Sequence, residues 1–327
     1  MFQIRLKNTS QFACSTEDTI LVGAQKEGVH LNYSCKTGRC KSCKAKLVEG
    51  STLAILEEIG LSQEEGMEGY ILTCVRKPAS DLKLDIEDLS GYSIEPIKII
   101  PSKIDSITKL NQDVIELKLR IPTNTNFSYL AGQYINIIKG DYKRSYSLAS
   151  NDTSSGLNLY IKNYEGGKFS QYLFKDAKEN DLLRIEGPMG TFFYRDTNKT
   201  NLIFLATGTG IAPIKAILED LNMNSEKVTG KSIYLFSGAR IQGDFIWEPK
   251  FDNINVQYIP VLSRAKEGWD GAKGYVQDVM IEKGISLVDS LMYVCGSENM
   301  IQDALHVSTL NGLSEQDFFS DAFIPSN

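Results

Sequence analysis

Histidine is nearly missing from this chain: its 327 residues contain two, His30 and His306. That scarcity weakens any reading that needs a histidine base or a multi-histidine metal site. No window approaches a run of about eighteen apolar residues, so no membrane span is expected. The N-terminal MFQIRLKNTSQF lacks the charged-then-apolar pattern of a secretory signal, and a cytoplasmic location is the default expectation. Basic charge is not in excess either. The net charge is −6 and no basic-aromatic stripe appears, which argues against a nucleic-acid partner. Internal repeats and low-complexity tracts are absent. What remains, 42% apolar and 23% charged, is a soluble globular composition with length for two or three domains.

The chain reads in three stretches. Up to about Gly91, short strands alternate with loops. QIRLK (3–7) and LKLDI (82–86) alternate apolar and polar residues as half-buried strands do, and TILVGAQKEG (19–28) reads as a helix stopped by Gly28, with Asp18 as its N-cap. Ser93 to Pro101 carries two prolines and no sustained periodicity, which places a boundary there. From Lys103 to about Tyr194, strand follows strand. SKIDSITKL and VIELKLRI flank the turn Asn111-Gln112-Asp113, and YINIIK, LNLYIKNY and DLLRIEG come after. Beyond Asn201, the buried-type strands NLIFLAT (201–207), SIYLFSG (232–238), NVQYIPVL (255–262) and LMYVCG (291–296) alternate with helical segments at 212–221, 275–283 and 297–310. The expected fold is therefore an α+β multidomain protein. A small domain spans 1–92, an antiparallel β-barrel 98–198, and a Rossmann-like α/β domain with a parallel sheet 199–327.

Six cysteines are present, and four of them cluster. In a reducing compartment such thiols bind metal or do redox chemistry rather than form a disulfide framework. Cys35, Cys40 and Cys43 follow C-x4-C-x2-C, and thirty residues separate Cys43 from Cys74. This is the plant-type [2Fe–2S] spacing rather than the paired C-x2-C of structural zinc, the competing reading. Gly38 stands where backbone must approach the cluster closely. The loop resembles plant-type ferredoxin domains, and the resemblance implies a β-grasp fold. Those domains commonly have glycine after the second ligand, whereas Lys41 stands here. Lys36, Arg39, Lys41, Lys44 and Lys46 crowd the loop with no acid between them. They form either a solvated basic face or an electropositive rim that docks an acidic partner.

A second group lies in the barrel. Arg144-Ser145-Tyr146-Ser147 ends a strand, and Gly166-Gly167-Lys168-Phe169-Ser170 opens a helix whose first amides can meet an anion. Arg144 offers a fixed charge for phosphate, Tyr146 a flat ring, and Ser147 a hydroxyl for a ring nitrogen. Each motif alone is weak. Together they resemble the ferredoxin–NADP reductase superfamily. That resemblance puts Arg144, Tyr146 and Ser147 on the flavin, and Gly167, Lys168, Phe169 and Ser170 on its pyrophosphate. It implies FAD rather than FMN.

A third group joins a strand to a helix: Thr207-Gly208-Thr209-Gly210, with Pro213 in the first helical turn. Proline replaces the third glycine of a full G-x-G-x-x-G. In the superfamily this is the dinucleotide turn, and Cys295-Gly296 puts a thiol beside the nicotinamide carbon that gives up hydride. The alternative for Cys295 is a buried core thiol. Cys14 is read as core. Arg240 and Asp244 resemble the adenosine-side segment of NADH-dependent members, although Arg240 could instead meet the 2′-phosphate of NADPH. Asp321-Ala322-Phe323 resembles an acid-x-aromatic ending whose ring, Phe323, covers the flavin, and its alternative is an apolar anchor.

A nicotinamide gives electrons as a pair, a cluster takes one at a time, and a flavin does both, so the order nicotinamide, flavin, cluster follows from the cofactors. Nearly the whole chain resembles single-chain reductases of this kind, closest in length and in its FFSDAFIPSN ending to the CDP-6-deoxy-Δ3,4-glucoseen reductase type. That type feeds a pyridoxamine-dependent CDP-sugar dehydrase in 3,6-dideoxyhexose synthesis. The resemblance implies an NADH-dependent enzyme that passes electrons through FAD and the cluster to a terminal enzyme docking near the cluster loop. That acceptor is the sugar dehydrase or, in a neighbouring branch, an aromatic or hydrocarbon oxygenase. A non-catalytic redox sensor is a reading of another class.

Overall fold

A computed structural model describes residues 1–153 and 156–323, so residues 324–327 of the FFSDAFIPSN ending lie outside the described residues. The chain divides into two compact units, Met1–Ile94 and Glu95–Asn327.

The first unit is built from β1 (Phe2–Arg5), β2 (Gln11–Cys14), α1 (Ile20–Lys26), β3 (Lys44–Glu49), β4 (Thr52–Ala54), α2 (Gln63–Met67), β5 (Tyr70–Leu72), β6 (Arg76–Pro78) and β7 (Leu82–Asp85). Five strands form a mixed sheet in the order β2-β1-β7-β3-β5, with β1 and β7 parallel, while β4 and β6 pair separately. Ile20, Leu21 and Ala24 of α1 join Ile4, Leu72 and Leu84 of the sheet in one buried cluster. The alternation read in LKLDI is visible in β7, where Leu82 and Leu84 are buried and Lys83 and Asp85 exposed. The cap of α1 differs from expectation. Thr19, in extended backbone, accepts the Val22 amide through its hydroxyl at 3.2 Å. Asp18 sits one residue too early to cap, and its carboxylate accepts from Lys26 instead.

The second unit begins with β8 (Lys98–Lys109), β9 (Val114–Arg120), β10 (Tyr134–Lys139), β11 (Tyr142–Ser147), β12 (Leu157–Lys162), α3 (Lys168–Lys175) and β13 (Leu182–Met189). These strands run β11-β10-β13-β8-β9-β12, all antiparallel, and a bridge between Leu148 and Leu159 brings the two edges together into a nearly closed barrel. Pro101, expected in a linker, lies inside β8. Pairing of β8 with β9 starts at Lys103, so the strand has a free edge at residue 101, which tolerates a missing amide.

The rest of the unit comprises β14 (Asn201–Thr207), α4 (Ile211–Met223), β15 (Ser232–Ala239), β16 (Val256–Leu262), β17 (Ala272–Lys273), α5 (Val276–Glu282), β18 (Ser290–Gly296), α6 (Glu298–Leu310) and β19 (Phe318–Ala322). Its parallel sheet has the order β17-β16-β15-β14-β18-β19. Every residue of β18 is buried, as a central strand covered on both faces requires. Tyr293 of β18 stacks between Phe204 and Phe319, with centroids 5.3 and 5.2 Å away, and its hydroxyl accepts the Arg195 amide at 2.7 Å. That bond pins the end of the barrel to the sheet. Barrel residues Val114, Ala149, Tyr160 and Phe192 share the core of the parallel-sheet part. Among the described residues, no helix is long and apolar enough to cross a membrane.

Candidate functional site

The four clustered thiols come from the loop before β3 and from the turn after β5. Cys40, Cys43 and Cys74 are buried and Cys35 is partly exposed. They sort into two pairs. The bond that Cys40 donates lowers Cys35 to about 5, and the bond that Cys43 donates lowers Cys74. Cys40 and Cys43, as donors and deeply buried, are pushed well up. Among the described residues, no three histidine, cysteine or acidic side chains gather as the ligands of a single ion would. Two pairs of thiols are the donor set of a two-iron cluster, with two protein sulfurs for each iron. The surrounding backbone supports sulfur carrying negative charge. The Thr37 amide donates to Cys35 Sγ and the Cys35 amide to Cys40 Sγ, each at 3.4 Å, and the Gly38 amide reaches Cys74. Gly38 has φ +76°, and a Cβ there would lie 2.7 Å from the Glu57 carbonyl oxygen.

Lys41 has φ +60°, the left-handed backbone that glycine adopts without strain. Its ammonium is held at 3.0 Å by Glu65 of α2, which also holds Lys44 at 2.9 Å. Burial opposes ionisation of Glu65, but the Ser62 amide, Lys44 and Lys41 together bring its carboxyl to about 2. The acid missing from the loop sequence thus arrives from a helix more than twenty residues away. Lys36 and Lys46 lie over the rings of Tyr33 and Tyr70, at 4.5 and 5.4 Å.

In the second unit, β11 delivers Arg144, Tyr146 and Ser147. Arg144 donates to the Lys143 carbonyl and has no carboxylate partner among the described residues, so its charge is available to a phosphate. Tyr146 is half-buried, 6.2 Å from the Phe169 ring. Gly167 is the N-cap of α3 and no side chain caps it, leaving the first amides open to an anion. Lys168 is exposed at that end. Phe169 and Ser170 turn inward. Phe169 fills the barrel core, and the Ser170 hydroxyl donates to the Gly167 carbonyl at 2.9 Å and accepts the Tyr164 amide at 3.3 Å. Their side chains brace the start of α3. An uncapped helix start and an unpaired arginine fit the pyrophosphate of a flavin dinucleotide.

The dinucleotide turn lies at the C-terminal end of β14. The sheet order reverses between β14 and β18, and ligands of open α/β sheets settle at such a switch point. Gly208 is exposed with φ +56°, Thr207 is half-buried, and Thr209 and Pro213 are buried. A Cβ on Gly210 would lie 2.6 Å from the Cys295 carbonyl carbon, and one on Gly296 would meet the Thr207 side chain, so the two strand ends touch through glycine. No side chain caps α4. By contrast, α6 is capped by Ser297, whose hydroxyl accepts the Met300 amide. The turn at Gly208–Gly210 is thus the open anion site of the two. Cys295 has no exposed surface and lies with Leu291 and Tyr293 in the core. Burial first, and then the nearby Asp321 charge, keep its thiol protonated.

Asp321 is the residue that motif reading undervalued. It lies beside Cys295 in the register of β18 and β19, is buried, and accepts the Ser147 hydroxyl at 3.0 Å. That bond ties β11 to β19 and leaves the Ser147 lone pairs as acceptors. Lys215 of α4 adds a second tie, donating to the Ala149 carbonyl at 2.6 Å and pairing with Glu219. Phe323 is half-buried, and its amide donates to the Gly296 carbonyl at 3.0 Å. At the far edge, Arg240 is exposed, and its carbonyl accepts the amide of exposed Arg264, which no motif had marked. Asp244 folds back on its own turn toward the Ile241 amide.

Comparison with known proteins agrees in three places. Residues 4–79 match the 2Fe-2S iron-sulfur cluster binding domain, 101–194 the oxidoreductase FAD-binding domain, and 204–306 the oxidoreductase NAD-binding domain. A CDP-6-deoxy-L-threo-D-glycero-4-hexulose-3-dehydrase reductase of Yersinia pestis is 38% identical over 317 residues, 96% of each chain. Reductase component 2 of the terephthalate 1,2-dioxygenase of Comamonas sp. is 30% identical, over 95% of this chain and 94% of its own. Among solved structures, the ferredoxin reductase in carbazole 1,9a-dioxygenase superposes with a TM-score of 0.69 at 25% identity, covering 99% of this chain and 98% of its own.

Proposed function

The chain belongs to the family of oxidoreductases that join a 2Fe-2S domain, an FAD-binding domain and an NAD-binding domain, and from that premise we propose that it draws electrons from NADH and delivers them to a CDP-6-deoxyhexulose dehydrase. Bound, the three groups supply the electron chemistry: the nicotinamide gives a pair, the flavin accepts it and passes it on singly, and the cluster carries one electron outward. The protein's own residues bind, orient and exclude water. Gly208 and Gly210 let the backbone approach a pyrophosphate at the switch point. Arg144 and the uncapped start of α3 receive the flavin phosphates. Ser147, fixed by Asp321, presents an acceptor to the flavin ring. Cys35 with Cys40, and Cys43 with Cys74, ligate the two irons.

The observation that carries this reading is the bond between Ser147 and Asp321. It draws the flavin strand and the nicotinamide edge together in a chain that also holds two pairs of thiols. Identity favours the dehydrase as acceptor, 38% for its reductase against 30% for the terephthalate system. The oxygenase branch is the second reading, supported by the carbazole reductase fold. NADH is the proposed donor, with NADPH accepted through Arg240. A cytoplasmic location accords with six cysteines of which none forms a disulfide among the described residues. The test is a coupled assay. Purified protein with NADH is offered the dehydrase and, separately, a terephthalate-type oxygenase. Turnover with the dehydrase is expected, and turnover with the oxygenase alone would overturn the assignment.

A further inference from the structure

Exposed apolar side chains gather in one stretch of the first unit. Leu53, Ile55, Leu56 and Ile59 are 63%, 47%, 56% and 49% exposed. Leu53 and Ile55 alternate along β4 and its continuation, so they share a face. The stretch is fastened to the loop that carries the cluster ligands. The Ile55 amide donates to the carbonyl of Val75, next to Cys74, at 2.9 Å, and the Gly60 amide donates to the Gly38 carbonyl at 2.8 Å. Gly38 and Gly60 allow backbone to meet backbone there, against the Glu57 and Arg39 carbonyls respectively. Glu58 anchors the segment from within, accepting the Leu72 amide and pairing with Arg76.

A contiguous apolar patch on a protein surface marks a contact site, with charges at its rim rather than at its centre. Lys41 and Lys44 share one carboxylate, that of Glu65, and Lys36 rests on Tyr33. Glu57, Glu64 and Glu68 are exposed and form no ion pair among the described residues. Arg39 and Lys46 are exposed as well, so charge of both signs surrounds the cluster loop.

We propose that Leu53, Ile55, Leu56 and Ile59 form the docking surface for the terminal electron acceptor, a protein whose contact face is apolar at its centre and carries a basic residue facing Glu57. The inference rests on the proposed role of the cluster as the exit. Electron transfer falls off steeply with distance, so an acceptor has to sit against the loop enclosing Cys35, Cys40 and Cys74, and this patch is an apolar surface fastened to that loop.

The test uses the full chain loaded with FAD and cluster. The double variant L56S/I59S is compared with wild type and with V48S, which removes an equally exposed apolar side chain from β3. Three rates are measured: NADH-driven ferricyanide reduction, anaerobic reduction of the cluster by NADH, and turnover against varied dehydrase and, separately, varied cytochrome c, a basic one-electron acceptor protein. L56S/I59S is expected to leave the first two unchanged and to raise KM for both acceptor proteins about tenfold or more, with V48S like wild type. Unchanged KM for both acceptors would overturn the proposal. Slowed cluster reduction would overturn it in favour of the chain's own flavin unit as occupant, and a wild-type dimer that the double variant dissolves would do so in favour of a second copy. If wild type fails to reduce the dehydrase while KM for cytochrome c shifts, the acceptor assignment falls and the docking surface stands.

Discussion

Replacing Gly210 with alanine puts a methyl group where the backbone of another strand already lies. An ideal Cβ at 210 falls 2.6 Å from the Cys295 carbonyl carbon and 3.0 Å from the Gly296 amide nitrogen. Both neighbours are backbone atoms of β18 and its exit turn, so neither can rotate away. To restore ordinary contact, the start of α4 and the end of β18 have to part by about 1 Å, and overpacking of that kind costs about 1–3 kcal/mol. The displacement falls on the two turns that would flank the nicotinamide, where a misplacement of about 1 Å can cost about 100-fold in rate. Anaerobic stopped-flow measurement of flavin reduction by NADH, paired with a thermal melt, reads both effects. G210A is expected to melt lower and to reduce its flavin about 100-fold more slowly. Gly208→Ala is the internal comparison. Gly208 has φ +56° with nothing within 4 Å of a Cβ, so alanine there costs about 1 kcal/mol of backbone strain and leaves Cys295 in place. A G210A protein with wild-type flavin reduction and melting would refute the reasoning.

Ser147→Ala removes the hydroxyl that Asp321 accepts, a charge-assisted bond between buried partners worth about 1.5–3 kcal/mol. Flavin reduction should slow at least tenfold, and an unchanged rate would remove Ser147 from the site. Glu65→Gln tests the ion cluster at the iron–sulfur loop. The drop of its carboxyl from the ordinary 4.5 to about 2 corresponds to about 3 kcal/mol, which solvent screening reduces to about 1–2 kcal/mol. Because the folded value is depressed, that stability is present above pH 4.5 and is lost as pH falls toward 2. Wild type and E65Q should therefore differ in chemical denaturation at pH 7, with the gap narrowing below pH 4.5 and closing only near pH 2. Arg240→Ala should weaken NADPH more than NADH, by about tenfold or more in kcat/KM, since a 2′-phosphate gives the guanidinium a partner that NADH lacks. Equal losses for both nucleotides would contradict that role.

Local signals in the chain translate directly into structure where a segment is covered on both faces. NLIFLAT and LMYVCG read as buried strands and appear as β14 and β18, because neither face of a central parallel strand meets water. The cluster spacing is equally local, since three of its cysteines share one loop. What stayed hidden depends on contacts between distant residues. Glu65 is invisible as the counter-ion of Lys41 until α2 folds against the loop. Ser147 and Asp321 lie 174 positions apart, and the strand register of the parallel sheet decides that they meet. Pro101 reads as a linker because a sequence does not reveal that β8 has a free edge at that point. The apolar stretch from Leu53 to Ile59 has the composition of a core, and its exposure depends on β4 pairing with β6 alone.

The central claim is that one chain carries electrons from nicotinamide through flavin to the cluster. Anaerobic titration of the FAD- and cluster-loaded protein with NADH, followed by flavin absorbance and by the paramagnetic signal of a reduced [2Fe–2S] centre, tests it most directly. The account predicts that flavin bleaching and the cluster signal develop together, and that Ser147→Ala slows both by the same factor. A flavin that bleaches fully while the cluster stays oxidised would contradict it.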